Sequence, residues 1–176
     1  HVVTPNKEVV AKHGYELLAI AHQNKVQFLF ETSVGSAIPI LSVILNMLTS
    51  GPLEEISGIL NGTTNYILDL MWEDNMSQQE ALIKAQEKGY AEADPTADVQ
   101  GHEAAATIAI ISLIATGTMA SKNDVKTIGI SNVSSSDIAQ AKELGYVIKL
   151  TATIEEKNEK EIFLRVEPTF VPNRLH

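Results

Sequence analysis

Residues 58–66 read Gly-Ile-Leu-Asn-Gly-Thr-Thr-Asn-Tyr, and this stretch decides the fold at the centre of the chain. The apolar run Ile56 to Leu60 predicts a strand, and the pattern that follows predicts a helix to about Trp72. The turn between them is rich in small hydroxyl and amide side chains, which together with backbone N–H groups can hold a small polar ligand. Thr63 or Thr64 is expected to cap the helix.

A second polar loop, Gly-Tyr-Ala-Glu-Ala-Asp-Pro, occupies residues 89–95. It follows a predicted helix that begins with a capping box between Ser77 and Glu80 and ends at Gly89. The loop carries the carboxylate of Glu92 just before the next helix. Substrate sites are commonly built from polar loops at the ends of apolar elements, so we expect these two loops to lie close together.

The remaining pattern alternates helices and strands. It predicts an α/β (α+β) fold, in which a mixed or antiparallel sheet is covered by helices on one face. The expected helices are Pro5 to about Gln23, a buried helix from Ile38 to Leu48, Gly101 to about Thr116, and one capped by Ser134 to Ser136; the expected strands are Val26 to Phe30 and a hairpin of Tyr146 to Ile154 with Ile162 to Val166.

The composition excludes several classes of function. The net charge of −9, from 13 basic and 22 acidic residues, argues against partners such as nucleic acid or an anionic membrane. Because there are no cysteines, disulfides, thiolate metal sites and cysteine nucleophiles are excluded. The apolar stretches are too short to span a bilayer, and we expect a cytoplasmic protein. No Gly-x-Gly-x-x-Gly fingerprint or phosphate loop is present, so most of any nucleotide site is expected outside this chain.

Six motifs together resemble the homoserine dehydrogenase family, and the resemblance runs nearly end to end. Two of them are the polar loops, of which Gly58 to Leu68 is nearly letter-perfect for the family's Gly-x-x-Asn-Gly-Thr-Thr-Asn-Tyr-Ile-Leu signature. The six matching stretches are Val2 to Lys7, Phe30 to Pro39, Gly58 to Leu68, Gly89 to Gly101, Ala141 to Tyr146 and Arg165 to Pro172.

The resemblance implies a function and a domain organisation. Enzymes of this family interconvert L-homoserine and L-aspartate 4-semialdehyde with NAD(P)H, on the route to threonine, methionine and isoleucine. By analogy, residues 1–24 are a remnant of the Rossmann domain, its last strand and following helix. Residues 25–176 are a C-terminally truncated substrate-binding, catalytic and dimerisation domain. The expected partners are a small-molecule substrate and a second subunit in a homodimer, and the isolated chain is expected to be inactive.

The chemistry of the reaction suggests roles for the polar side chains. The substrate's ammonium group needs a carboxylate, and Glu92 occupies the family position that binds homoserine; composition alone would favour a solvated loop acid. Asp98 and Glu103 are the next candidates, although Asp98 is equally suited to cap the following helix. Asn61 and Thr63 are expected to form part of the site without a catalytic role, since glycine and capping residues make such a turn unaided.

Two further sites follow from the resemblance. Lys7 corresponds to a lysine that approaches the nicotinamide end of the cofactor, although a surface lysine in the first turn of a helix is the alternative. A sodium ion is expected at the positions that form the family's monovalent cation site, because oxygen ligands suit a hard cation. Those positions are Glu31, Val34, Ser36 and Ile38. The alternative is that this segment is only a loop that connects a strand to a helix.

One departure from the family bears on catalysis. The family places Asp and Lys one helical turn apart, and this lysine serves as general acid and base; here the positions hold Glu103 and Thr107. A positioned proton donor contributes about 10²- to 10⁴-fold, so we expect slow turnover or none. The alternatives are a catalytically impaired paralogue or fragment that binds ligand or associates with other subunits, and a related oxidoreductase that acts on another aldehyde or hydroxy acid.

Overall fold

The computed structural model describes residues 1–51, 54–118, 120–158 and 161–173. They form a mixed α/β fold in which a mixed sheet is flanked by helices, as the sequence predicts. The elements are β1 (Val2–Val3), α1 (Lys7–Gln23), β2 (Phe28–Leu29), α2 (Thr32–Gly35), α3 (Leu41–Leu48), β3 (Glu55–Gly58), α4 (Gly62–Glu73), α5 (Gln78–Glu87), α6 (Thr96–Val99), α7 (His102–Thr116), a 3₁₀ turn (Lys122–Asp124), β4 (Lys126–Thr127), α8 (Ser135–Glu143), β5 (Tyr146–Asn158) and β6 (Glu161–Pro172).

The strands form two sheets. β1 and β2 pair in parallel, with Val2 opposite Phe28, and α1 makes the crossover between them. The other sheet has the strand order β3-β5-β6-β4. Side chains cross from β5 to β6 between Thr151 and Thr169 and between Glu155 and Arg165, so the two strands are antiparallel. The predicted hairpin is therefore confirmed with longer strands, and residues 159–160 of its turn lie outside the described residues.

The chain folds into two compact units. The first comprises His1–Ile56, Ala105–Val125 and Thr153–Arg165; the second comprises Ser57–Ala104, Lys126–Ala152 and Val166–His176. Helices α1 to α3 and most of α7 lie in the first unit, and α4, α5, α6 and α8 lie in the second. Both loops singled out in the sequence, residues 58–66 and 89–95, therefore belong to the second unit.

The core of the second unit is built around α4, which packs against α5 and α8. Ile67, Leu68 and Met71 of α4 are almost completely buried. Two buried alanines one turn apart, Ala81 and Ala85, form the inward face of α5. Its capping box between Ser77 and Glu80 forms as the sequence predicts, and Ser134 makes a second capping box with Asp137 at the start of α8.

The first unit buries most of α7. Between Ala105 and Ala115 the helix is apolar nearly all the way round, the pattern of a helix enclosed by the core. Helix α3 differs from the expectation of a buried helix that begins near Ile38. It begins at Leu41 and buries only that residue and Ile44, while Met47 is 61% exposed. The apolar run was correctly assigned to a helix, but the described residues cover only one of its faces.

Helix α1 also begins later than predicted. Asn6 is its N-cap and accepts a hydrogen bond from the backbone of Val9 at 3.0 Å, so Pro5 precedes the cap instead of occupying the first turn. An asparagine side chain that can accept from a first-turn N–H is a stronger start signal than proline. No helix in the described ranges is long and apolar enough to cross a membrane.

A close approach of two backbone segments in the second unit makes Gly129 sensitive to substitution. A Cβ atom there would lie 2.2 Å from the Val99 carbonyl oxygen, a distance that requires the backbone to move. We predict that Gly129→Ala lowers the free energy of unfolding by at least about 2 kcal/mol, measured by urea denaturation. Gly51→Ala is the control, because a Cβ at Gly51 meets nothing within 4 Å. Equal free energies for the two variants would contradict the close approach.

Candidate functional site

The side chain of Asn61 begins helix α4. Its Oδ1 atom accepts hydrogen bonds from the backbone N–H and from the hydroxyl of Thr64, each at 2.8 Å. The prediction that Thr63 or Thr64 caps the helix is therefore wrong. Thr64 lies completely buried within the first turn, and asparagine is among the strongest N-cap residues.

The structure brings the two polar loops together, as the sequence predicts. The hydroxyl of Thr63 donates to the carbonyl oxygen of Tyr90 at 2.8 Å. The Nδ2 group of Asn61 donates to Oδ1 of Asp98 at 2.6 Å. The rings of Tyr66 and Tyr90 stack with their centroids 4.4 Å apart. Two hydrogen bonds and one ring contact thus join the start of α4 to the segment that contains the second loop.

The loop at residues 89–95 is fixed by local hydrogen bonds. Gly89 has φ of +75°, the left-handed conformation that ends α5. The side chain of Gln86 donates to the carbonyl oxygen of Glu92 at 3.0 Å, so the backbone at Glu92 is held. Asp94 accepts from Thr96, and hydrogen bonds from the side chain and backbone of Thr96 lower the pKa of Asp94. The carboxylate of Glu92 itself lies on an exposed residue, where it can meet a ligand.

Asp98 lies inside α6 and is half-buried. Helix α7 begins at His102, after a glycine with φ of +81°, so Asp98 is not its N-cap. The capping alternative raised by the sequence is therefore wrong. The carboxylate of Asp98 accepts from Asn61 instead, which places a negative charge next to the first turn of α4, where the helix dipole favours it.

Glu103 and Thr107 lie one turn apart on α7. Glu103 is half-buried in the first turn, whereas Thr107 is only 1% exposed. Along the helix, Ala104, Ile108 and Ile111 are buried with Thr107. A lysine at position 107 would have to carry its charge out of an apolar stretch or lose part of it through a lowered pKa. The hydroxyl present here has no charge to lose.

Lys7 and the expected sodium positions lie in the first unit. Lys7 is the first residue of α1 and is half-buried. The carboxylate of Glu31 spans the N-terminus of α3: Oε1 accepts from the backbone of Ile40 and Leu41, each at 2.7 Å, and Oε2 accepts from Ser42 at 3.0 Å. Partial burial by itself raises the pKa of Glu31, but these backbone hydrogen bonds, together with one from the Ser42 side chain, outweigh it and hold the pKa below its usual value.

The same bonds constrain any cation at this loop. Because both oxygens of Glu31 already accept from the backbone, a sodium ion would draw mainly on main-chain carbonyls, including those of Val34, Ser36 and Ile38. Ser36 has φ of +52°, which turns the chain sharply between these positions. In the part of the chain that the structure describes, no group of three or more histidine or acidic side chains is placed to hold a metal ion.

Sequence reasoning missed Lys149. Its side chain is 3% exposed, and its Nζ atom donates to Oδ1 of Asp69 at 2.5 Å and to Oδ1 of Asn65 at 2.9 Å. Both partners lie on α4, close to the first polar loop. The available signal was a single lysine within the apolar strand Tyr146 to Leu150, where a charge is costly unless it is paired.

Comparison with known proteins identifies relatives across the whole chain. The family model for homoserine dehydrogenase matches residues 39–175. Homoserine dehydrogenases of Synechocystis and Lactococcus lactis are 44% and 41% identical over 97% and 98% of this chain, which spans 40% of each relative. The chain therefore covers about two fifths of the length of the relatives that it matches.

Solved structures agree with the sequence relatives. A homoserine dehydrogenase from Thiobacillus denitrificans superposes with a TM-score of 0.93 and 42% identity, over 99% of this chain and 40% of that one. A hyperthermophilic archaeal homoserine dehydrogenase in complex with NADPH superposes with a TM-score of 0.81 and 25% identity, over 97% of this chain and 48% of that one. The resemblance inferred from the motifs is thus confirmed.

The cap formed by Glu31 predicts a pH dependence of stability. Its pKa is lowered in the folded state, so its contribution is present above the unfolded pKa and is lost as pH falls through the folded pKa. We predict that Glu31→Gln destabilises the protein at about pH 7 and that its difference from wild type shrinks towards about pH 3, measured by urea denaturation. Glu143→Gln, at an exposed site on α8, is the control. A pH-independent difference would contradict the charged cap.

Proposed function

This chain belongs to the homoserine dehydrogenase family, and we propose that it supplies the amino-acid-binding part of an enzyme that interconverts L-homoserine and L-aspartate 4-semialdehyde with NAD(P)H. The proposal is carried by two hydrogen bonds: Thr63 joins the first loop to Tyr90 of the second, and Asn61 joins it to Asp98 of the following helix. The reaction belongs to the biosynthesis of threonine, methionine and isoleucine.

The charges at the joined loops suit the two ends of a small amino acid. The exposed carboxylate of Glu92 is available to the substrate's ammonium group. The N-terminus of α4, which begins at Gly62, carries the partial positive charge that favours the substrate's carboxylate. Asp98 and Asn61 are hydrogen-bonded to each other, so we assign them the role of positioning the residues around the ligand. Hydride transfer builds charge on the substrate oxygen, and Glu103 with Thr107 lies on the helix assigned to that chemistry by resemblance.

The nicotinamide cofactor is proposed to bind chiefly outside this chain, since these residues contain no glycine-rich dinucleotide fingerprint. The archaeal neighbour's NADPH complex supports a cofactor of the NAD(P) type. Lys7 is proposed to approach the nicotinamide end of the cofactor. Main-chain carbonyls of the segment Glu31 to Ile38 are proposed to hold sodium.

A homodimer is proposed through the substrate domain. Exposed apolar side chains on α3 support it, because such residues commonly pack against a second subunit. They are Val43 (44% exposed), Leu45 (51%) and Met47 (61%).

The silent-paralogue alternative rests on Thr107 alone. The relatives reported above are named homoserine dehydrogenases, and both signature loops are intact in this chain, so the comparisons do not favour it. The substitution still leaves the chemical step without the lysine that the family uses. We therefore propose an enzyme that retains its substrate-binding residues and transfers the proton slowly.

Loss of the charge at Glu92 tests the proposed function. We predict that Glu92→Gln raises the homoserine KM of the complete protein by about 10- to 150-fold, equivalent to the loss of about 1.5–3 kcal/mol from a charged hydrogen bond. The KM for the nucleotide should not change. Glu87→Gln, an exposed carboxylate at the end of α5, is the matched control. An unchanged homoserine KM in Glu92→Gln would remove this residue from the site.

A lysine at position 107 tests the proposed weakness in proton transfer. We predict that Thr107→Lys raises kcat of the complete protein by about 10²- to 10⁴-fold, because it restores a cationic proton donor. Thr107→Met, which has similar bulk and no proton to give, is the control for size. Because Thr107 is buried, thermal unfolding of both variants should accompany the steady-state kinetics. Equal kcat values in folded wild type and Thr107→Lys would show that the threonine does not slow proton transfer.

A further inference from the structure

Lys149 is a buried cation to which the proposed chemistry gives no role. It lies on β5 among the buried residues Val147, Ile148 and Leu150, and only 2% of the residue is exposed. A buried ammonium group is tolerated when acceptors surround it and is strongly destabilising when they are missing. The identity and position of its acceptors therefore indicate what the lysine holds in place.

The two acceptors of the Lys149 ammonium group, Asn65 and Asp69, lie on one helix, α4. The Nζ atom donates to Oδ1 of Asp69 at 2.5 Å and to Oδ1 of Asn65 at 2.9 Å. Asn65 in turn donates through Nδ2 to Oδ2 of Asp69 at 3.2 Å, which closes a triangle of three side chains. Residues four apart on a helix share a face, so the lysine binds two side chains that are one turn apart on α4.

Helix α4 connects the residues that bind Lys149 to the proposed substrate site. Asn65 and Asp69 lie four residues apart on one side of α4, and Asn61, four residues before Asn65, is the N-cap of the same helix. Asn61 donates to Asp98, and Thr63 in the first turn donates to the loop at Tyr90. A rotation of α4 that carries Asn65 away from its partner would also carry Asn61 away from Asp98.

We propose that Lys149 is a positioning residue for homoserine: by fixing the rotation of α4 through Asn65 and Asp69, it sets the distance between the two loops that bind the substrate. This inference rests on the proposed function. Lys149 does not touch the substrate, and its effect reaches the site through the helix. A shift of about 1 Å in a binding group is enough to lower activity about 100-fold, so a small helix rotation has a large consequence.

The chain contains a matched control at the opposite end of the same helix. Lys142 on α8 donates to Oδ1 of Asn75 at 2.7 Å and lies 5.0 Å from the centroid of the Trp72 ring. This lysine also binds an asparagine beside α4, but just after the helix ends. Loss of Lys142 therefore removes a lysine–asparagine hydrogen bond without releasing the end that carries Asn61.

The experiment compares Lys149→Met with Lys142→Met in the complete protein by hydrogen exchange and by steady-state kinetics. We expect Lys149→Met to speed exchange in the first turn of α4, residues 62–66, and to raise the homoserine KM by about 10- to 100-fold. The nucleotide KM should stay the same, and Lys149→Arg, which keeps the charge and donors, should recover most of the loss. Lys142→Met should leave the first turn and the homoserine KM unchanged.

The two readouts separate this inference from the proposed function. Faster exchange at residues 62–66 only in Lys149→Met supports the positioning role even if the protein does not act on homoserine. Unchanged exchange, or equal changes in both variants, overturns it whatever the substrate. A general loss of stability with equal rises in both KM values also overturns it. If Lys149→Met does not fold, Asn65→Ala, which removes one acceptor and keeps the ion pair with Asp69, is compared with Lys142→Met under the same criteria.

Discussion

The rest of the candidate site depends on the hydrogen bonds made by the side chain of Asn61. This side chain is nearly buried, and its two polar atoms serve two purposes at once: Oδ1 starts helix α4 by accepting from Thr64, and Nδ2 holds the carboxylate of Asp98. A buried amide left half-paired costs about 1–3 kcal/mol, so neither bond is easily given up. One residue therefore both caps α4 and ties it to α6, the helix that follows the second loop.

The charges around α4 are the physical basis for the proposed amino-acid ligand. The N-terminus of α4 carries a partial positive charge, which the carboxylate of Asp98 partly balances. Glu92, six residues before Asp98, is exposed and can accept a hydrogen bond from an ammonium group. Lys149 adds a buried positive charge farther along the same helix, balanced by Asp69. Each charge has a partner or a route to solvent, which is the condition for keeping ionised groups in a folded chain. Family membership gives this pattern its proposed chemical meaning, and Thr107 is the position at which the motif resemblance predicts a lysine.

Local signals in the sequence were sufficient where the deciding contact is local. The capping boxes at Ser77 and Ser134, the hairpin of β5 and β6 and the apolar helix α7 were all predictable, because their residues lie close together in the chain. Predictions failed where two local signals competed. Asn61 displaced the two threonines as the cap of α4, and Asn6 displaced Pro5 at α1. The apolar run of α3 revealed the helix but not which of its faces the chain would cover.

The site itself was predictable from motifs only in outline. The hydrogen bonds that assemble it join residues 37 and 27 positions apart, and the pairs of Lys149 are more than twice as distant in sequence. No periodicity encodes such pairs, so Lys149 and the partners of Asn61 and Thr63 emerged only with the fold. The most direct test of the account is a crystal structure of the complete protein with L-homoserine bound. We expect the ligand's ammonium group within hydrogen-bond distance of the Glu92 carboxylate, beside the first turn of α4. Homoserine bound away from both loops would contradict it.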